Sequence, residues 1–197
     1  MVRKLIAVVF GLVLVGSLLA VSTPAQAGHK KLEVYSEGPF GGPYEFTNED
    51  CPGLPFEVKG RDRGYEVLYI VPGSDGQAFL LHERYRFREV WTNPANGKKA
   101  YVSGHHKFRE VKATHVEGNV WRFLSVLKGK PFVVKNARHK TVLAEWGKLV
   151  LSSDFDTLGD SQPGGELVSQ TILKSKGNWP TWEEDFDFCA LVDRVIG

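Results

Sequence analysis

Residues 79–91 read Phe79-Leu80-Leu81-His82-Glu83-Arg84-Tyr85-Arg86-Phe87-Arg88-Glu89-Val90-Trp91, and they alternate. Odd positions carry Phe79, Leu81, Tyr85, Phe87 and Trp91; even positions carry His82, Arg84, Arg86 and Arg88. A side-chain period of two is the mark of a strand with one face on a core and the other in water. The odd face therefore points inward and the arginines point out. Asn93-Pro94-Ala95-Asn96-Gly97 follows, and Asn-Gly is a strong hairpin signal. Residues 99–116 fold back as the next strand. A register pairing Phe87 with Gly104 or His106 keeps Val102, His106 and Phe108 on the core side. It sets His105, Lys107 and Arg109 beside Arg84, Arg86 and Arg88. A slip of one residue would turn Lys107 and Arg109 inward without partners.

The hairpin thus presents a cationic patch. Its candidate binding residues are Arg84, Arg86, Arg88, His105, Lys107 and Arg109, with His82 at the edge. Like charges opposite one another weaken a ladder, so the patch calls for an explanation. Acids on a third strand can pair with it. The acidic stretch Glu183, Glu184, Asp185 and Asp187 can cover it. Or it binds an anion: phosphate, a sulfated or carboxylated polymer, or a lipid headgroup. Glu83 and Glu89 interrupt the apolar face. A strand end or bulge would turn them outward; the alternative is an interior position paired with His106 or a tryptophan.

Turn signals recur outside the hairpin, and apolar segments lie between them at 44–49, 54–60, 65–71, 120–127, 131–135, 140–152 and 166–174. The predicted fold class is all-β: an antiparallel meander closing into a barrel, which would remove exposed edges. A two-sheet sandwich is the second arrangement. Thr181-Trp182-Glu183-Glu184 has the form of a capping box, which predicts a short C-terminal helix over 182–193 with Thr181 as its N-cap.

The N-terminus carries an address. Arg3 and Lys4 precede an apolar stretch, Leu5 to Val21, and Ala25-Gln26-Ala27 is a cleavage site of small residues. This is the layout of a secretory signal peptide over residues 1–27, cleaved near Ala27-Gly28. Removal leaves 170 of the 197 residues, with 23 Lys+Arg against 23 Asp+Glu, because the leader holds two basic residues and no acid. A globally basic, nucleic-acid-type surface is not expected from zero net charge. No membrane association is expected after cleavage. Gly38, Pro39, Gly41, Gly42 and Pro43 mark residues 28–43 as a flexible entry segment, and 44–197 as a single domain. Cys51 and Cys189 are the two cysteines of the chain; in an oxidising compartment they read as one disulfide.

No nucleophile elbow, zinc-protease motif, phosphate loop or dinucleotide fingerprint occurs. His105 and His106 are adjacent and point to opposite faces, so they do not share a metal. Asp154, Asp156 and Asp160 flank a turn without the ligand pattern of a calcium loop. Trp179 and Trp182, on either side of Pro180, read as docking residues for the terminal helix or as an aromatic platform for sugar. No cofactor, metal or catalytic residue is implied.

Thr92-Asn93-Pro94-Ala95-Asn96-Gly97-Lys98 and Asp187-Phe188-Cys189-Ala190-Leu191, together with the leader and Cys51, resemble small secreted all-β proteins of actinobacteria that have no assigned function. The similarity spans about Cys51 to Leu191. It implies a fold and a compartment, and it carries over no catalytic residue. This chain departs by the charge on its central strands and by the Trp-rich segment at 179–182. The expected function is a secreted, non-catalytic barrel that binds an anionic polymer or cell-envelope component through the hairpin, as a monomer or weak oligomer. A lipocalin-like carrier of an apolar ligand is the alternative. An acid–base enzyme using Glu83 or Glu89 with His106 is a further one.

Overall fold

A computed structural model describes residues 33–46, 50–72, 79–159 and 165–197. The expected signal peptide and cleavage site, the expected turn around 73–76 and Asp160 lie outside the described residues. Nine strands form one antiparallel sheet: β1 (Glu33–Phe40), β2 (Pro43–Phe46), β3 (Val58–Pro72), β4 (Phe79–Thr92), β5 (Lys99–Glu117), β6 (Val120–Lys135), β7 (Thr141–Ala144), β8 (Trp146–Asp156) and β9 (Glu166–Asn178). A 3-10 turn over Pro180–Trp182 and a helix, α1 (Phe188–Ile196), complete the described chain. No helix among the described residues is long and apolar enough to cross a membrane.

The strand order is β1-β3-β4-β5-β6-β8-β9, with β2 also on β3 and β7 also on β6. The edges β1 and β9 do not pair, so the sheet is open. This corrects the closed barrel, and it is equally not a two-sheet sandwich. The inner face is covered by the C-terminal segment instead. Leu191, Val192, Val195 and Ile196 of α1 pack with Val58, Trp91, Ala100, Val102, Val134 and Leu143. Trp179 and Trp182 lie on Leu127, Leu149, Leu151 and Phe108. A third cluster, Ala113, Trp121 and Phe123 with Leu80 and Phe155, fills the far end.

The central hairpin has the predicted register, with Phe87 opposite Gly104 and Arg86 opposite His105. Trp91 is buried, Phe79, Leu81, Tyr85 and Phe87 are half-buried, and Arg84, Arg86 and Arg88 are exposed. Three aromatic rings lie over glycines directly across the ladder: Tyr44 over Gly60, Phe40 over Gly64 and Phe87 over Gly104. A β-carbon at Gly104 would sit 2.0 Å from the Pro131 carbonyl oxygen and 2.4 Å from the Phe87 ring, so no larger residue fits there.

Two expected turns are strand. Residues 61–64 run through β3 and residues 128–131 through β6. Gly129 has φ +147°, and a β-carbon there would meet the His105 carbonyl at 2.5 Å. A register shift opposite Ser103 and His105 accommodates Pro131, which has no N–H for the ladder. The segment expected to be flexible, 28–43, holds β1 and the start of β2. The side chains described there, from Val34 on, are largely exposed, and edge strands tolerate the glycines and prolines that suggested a loop.

The helix also starts later than predicted. Thr181 does not cap it: its backbone N–H donates to Glu145 at 3.0 Å, and its hydroxyl donates to the same carboxylate. Glu183 is extended and ends the 3-10 turn. Asp187 is the N-cap, accepting from Ala190 N–H at 2.9 Å. Cys51 and Cys189 form the disulfide, with Cα atoms 5.4 Å apart. Asn93 and Asn96 of the hairpin turn donate to the Ile196 carbonyl at 3.0 and 3.1 Å. The turn therefore holds the far end of α1 while the disulfide holds its start.

Candidate functional site

The outer face carries far more positive charge than the hairpin alone. Arg84 stands opposite Lys107, Lys107 opposite Lys128, Lys128 opposite Lys148, and Lys148 opposite Lys176. All five are exposed. Neighbouring strands lie about 4.8 Å apart, so the row spans roughly 19 Å across β4, β5, β6, β8 and β9. Beside it run Arg86, His105 and Lys130, and beyond them Arg63 opposite Arg88. On the other side Arg109 stands opposite His82.

No ion pair among the described residues involves this row; the acid on the same face of β1, Glu37, stands beyond Val67 and accepts from the Tyr65 hydroxyl. Among the described residues the Lys and Arg ion pairs are Lys59–Glu45 and Arg122–Asp154, both outside it. Third strands were expected to bring acids; β3 and β6 bring Arg63, Lys128 and Lys130. The acidic residues 183–187 lie where the chain turns into α1, which packs on the inner face. What holds the arginines is aromatic. Arg84 lies 5.9 Å over the Tyr69 ring and Arg86 5.3 Å over Tyr65. Arg109 Nε donates to His82 Nε2 at 3.2 Å. Burial and the adjacent Arg109 lower the pKa of His82, opposed by the Glu110 carbonyl. A groove of about 780 Å³ opens on this surface, lined by Arg63, Arg86, Arg88, His105, Lys130 and Lys135 with Tyr65 on its wall.

Of the sequence-predicted residues, Arg84, Arg86, Arg88, His105, Lys107 and Arg109 share one exposed face. The sequence reading missed Arg63, Lys128, Lys130, Lys148 and Lys176. Lys128 and Lys130 were hidden in an expected turn. The alternate spacing of Lys128/Lys130 and Lys174/Lys176 was the signal, but only the sheet register aligns these residues with Arg84.

The inner face holds a buried polar row. His106 Nε2 is 3.4 Å from Glu83 Oε1, both well shielded. The Tyr85 ring stacks between Phe40, 5.1 Å away, and His106, 5.2 Å away. Glu66 stands opposite Tyr85. Burial raises the Glu66 pKa, Glu83 raises it further, and His106 opposes both. Burial, then Glu66 and Glu83, push the Tyr85 phenol well above its ordinary value. Glu89 is bonded by the Trp91 indole N–H and is pushed up to about 7 by burial, against that bond. Glu110 accepts from Leu81 N–H at 2.7 Å, and burial raises it to about 7 despite this bond. The expectation that Glu83 and Glu89 turn outward is therefore corrected. Both point in, one to a histidine and one to a tryptophan. Glu89 does not meet His106.

These carboxylates set a pH dependence. Glu89 and Glu110 bind protons more tightly folded, at about 7, than unfolded, at about 4.3. Between those values the folded state holds protons that the unfolded state has lost, so stability falls as pH rises. Above about 7 the loss is complete. Glu66 and Glu145 add in the same direction and His82 opposes. Glu89→Gln is expected to flatten the fall in urea midpoint between pH 5 and about 7.5. Parallel curves for both proteins would show that Glu89 does not titrate this way.

Other sequence candidates resolve structurally. Asp154 accepts both Arg122 Nε and an Arg122 terminal nitrogen, at 2.7 and 2.8 Å, and this pairing holds its carboxyl below the usual range. Trp179 is buried, with its ring 6.5 Å from Trp182 at near right angles, and both pack into the core. They dock the C-terminal segment and form no exposed platform. No family model, curated protein or solved structure matches the chain.

Proposed function

We propose that this chain is a secreted, non-catalytic binding protein whose outer sheet face takes an extended polyanion, such as a sulfated, phosphorylated or carboxylated polymer of the cell envelope. The observation that carries this reading is the row Arg84, Lys107, Lys128, Lys148 and Lys176, directly cross-strand and without an acid partner among the described residues. Such a row opposes the ladder that bears it. An anionic chain laid across the strands would meet a cation about every 4.8 Å. The arginines resting on Tyr65 and Tyr69 supply preorganised donors beside it. A carrier barrel is less well supported, because the inner face it would leave hollow is packed by α1, Trp179 and Trp182.

The test is retention on heparin-like and teichoic-acid-like matrices across a salt series. Each ion pair made releases counterions, so affinity should fall linearly in logarithmic terms with salt. Engagement of the whole row predicts a loss of about a hundredfold or more between ~50 and ~200 mM salt. Arg84→Glu with Lys128→Glu should abolish retention while leaving the circular dichroism spectrum unchanged and the urea midpoint no lower, since opposite charges then alternate along the row. Retention unaffected by that double substitution would remove the assignment.

A further inference from the structure

We propose that two copies of this chain pair through β9, edge to edge and antiparallel, with Gln170 opposite its own symmetry mate. β9 is the terminal strand of the sheet beyond β8, and every one of its 13 residues is exposed. Sheet edges in soluble proteins are normally blunted by charge, proline or short length. This one is long, has no proline, and exposes Leu167, Val168, Ile172 and Leu173 at 47, 59, 40 and 57 %.

What identifies the occupant is the sequence of the strand itself. Glu166-Leu167-Val168-Ser169-Gln170-Thr171-Ile172-Leu173-Lys174 is complementary to its own reverse about Gln170. In the antiparallel register centred there, Glu166 faces Lys174 of the second copy, Leu167 faces Leu173, Val168 faces Ile172 and Ser169 faces Thr171. The two-fold axis makes each pair occur twice. Two-fold pairing moves only in steps that set another residue opposite itself. The neighbouring centre at Thr171 would put Lys174 against Val168 and Leu173 against Ser169. The centre at Ser169 would put Glu166 against Ile172. Charge and apolar matching therefore select a single register.

The geometry agrees with the pattern. Glu166 and Lys174 stand opposite Asp156 and Val150 of β8, two positions of the same parity, so both side chains project from one face of the sheet. A cross-strand ion pair between copies needs that arrangement. The pairing with β8 also skips Val168 and Leu173, at shifts between Asp154 and Phe155 and between Val150 and Leu151. These two bulged residues are the most exposed apolar side chains of the strand. The dimer supplies each with an apolar partner that β8 does not. An isologous contact of this kind closes at two copies. Because its axis runs perpendicular to the sheet, both outer faces look the same way. The proposal stands without the anion-binding reading.

The experiment uses the purified protein with its disulfide intact. Sedimentation velocity over a concentration series should give a monomer–dimer equilibrium. Glu166→Lys should weaken dimerisation about tenfold, since two like-charge pairs replace two opposite ones. Glu166→Lys with Lys174→Glu should restore it, which no other register predicts. Gln170→Cys should form an intermolecular disulfide on mild oxidation, because directly opposed residues lie within bridging distance. Val168→Lys with Ile172→Lys should give a monomer with an unchanged spectrum. A monomer at every concentration would overturn the proposal. So would growth beyond dimer, the mark of β9 adding to β1 of the next copy, and so would a dimer that ignores the charge swap and fails to cross-link at position 170.

Discussion

Trp91→Ala is expected to destabilise the protein by about 3–5 kcal/mol, the range for truncating a large buried aromatic. Trp91 is 1 % exposed and sits where β2, β4, β6 and α1 converge. Its ring meets Phe46 at 6.1 Å and Phe188 at 5.5 Å, both edge-on, and Phe132 at 6.3 Å. Truncation removes those contacts and opens a void that the surrounding strands cannot close. It also strips the indole N–H from Glu89 and from the Tyr44 hydroxyl, 3.0 Å away. A buried carboxyl without its donor adds its own penalty. Urea unfolding followed by circular dichroism measures the loss. Trp91→Phe separates the parts, because it keeps most of the ring and loses the donor. A loss under about 1 kcal/mol for the alanine variant would mean that this junction is not the centre of the core.

Removing the disulfide, by Cys51→Ser with Cys189→Ser, should destabilise by about 2–5 kcal/mol. The bond links residues 138 apart, so it constrains a very long loop in the unfolded chain. It also fixes the first turn of α1 next to the segment that leads into β3. Without it, Leu191, Val192, Val195 and Ile196 are held to the sheet by packing, by the Asn93 and Asn96 hydrogen bonds and by the one from Lys98 to the Gly197 oxygen. The expected signs are a lower urea midpoint and binding of a hydrophobic dye before global unfolding. A midpoint that does not move in the double variant would show that packing alone retains the helix.

The parts of this fold legible in the sequence were those with a local physical signature. Alternation from Phe79 to Trp91 gave the strand and its faces, and the cost of burying Lys107 and Arg109 gave the register. The even cysteine pair gave the crosslink. Closure was not legible, because whether β1 meets β9 depends on the summed curvature of nine strands and on what covers the inner face. The glycines at 64 and 129 read as turns because the rings and carbonyls packed over them come from neighbouring strands. Thr181 read as a helix cap because the buried Glu145 that claims it lies 36 residues away. The candidate site was half visible. The hairpin cations stood out by alternation, while Lys128, Lys148 and Lys176 align with them only once four ladders are in register.

The packing of α1 also bears on when the chain can fold. The main core cluster joins Val58, Trp91, Ala100, Val102 and Val134 to residues 191–196, which are the latest of these to be synthesised. Until they arrive the inner face of the sheet lacks its cover, and the partner of Cys51 does not yet exist. Contacts this distant along the chain form slowly. Assembly of the core therefore waits until residues 191–196 have been made. Until then the apolar faces of its strands stand uncovered, which is the interval in which such a chain is prone to associate with others.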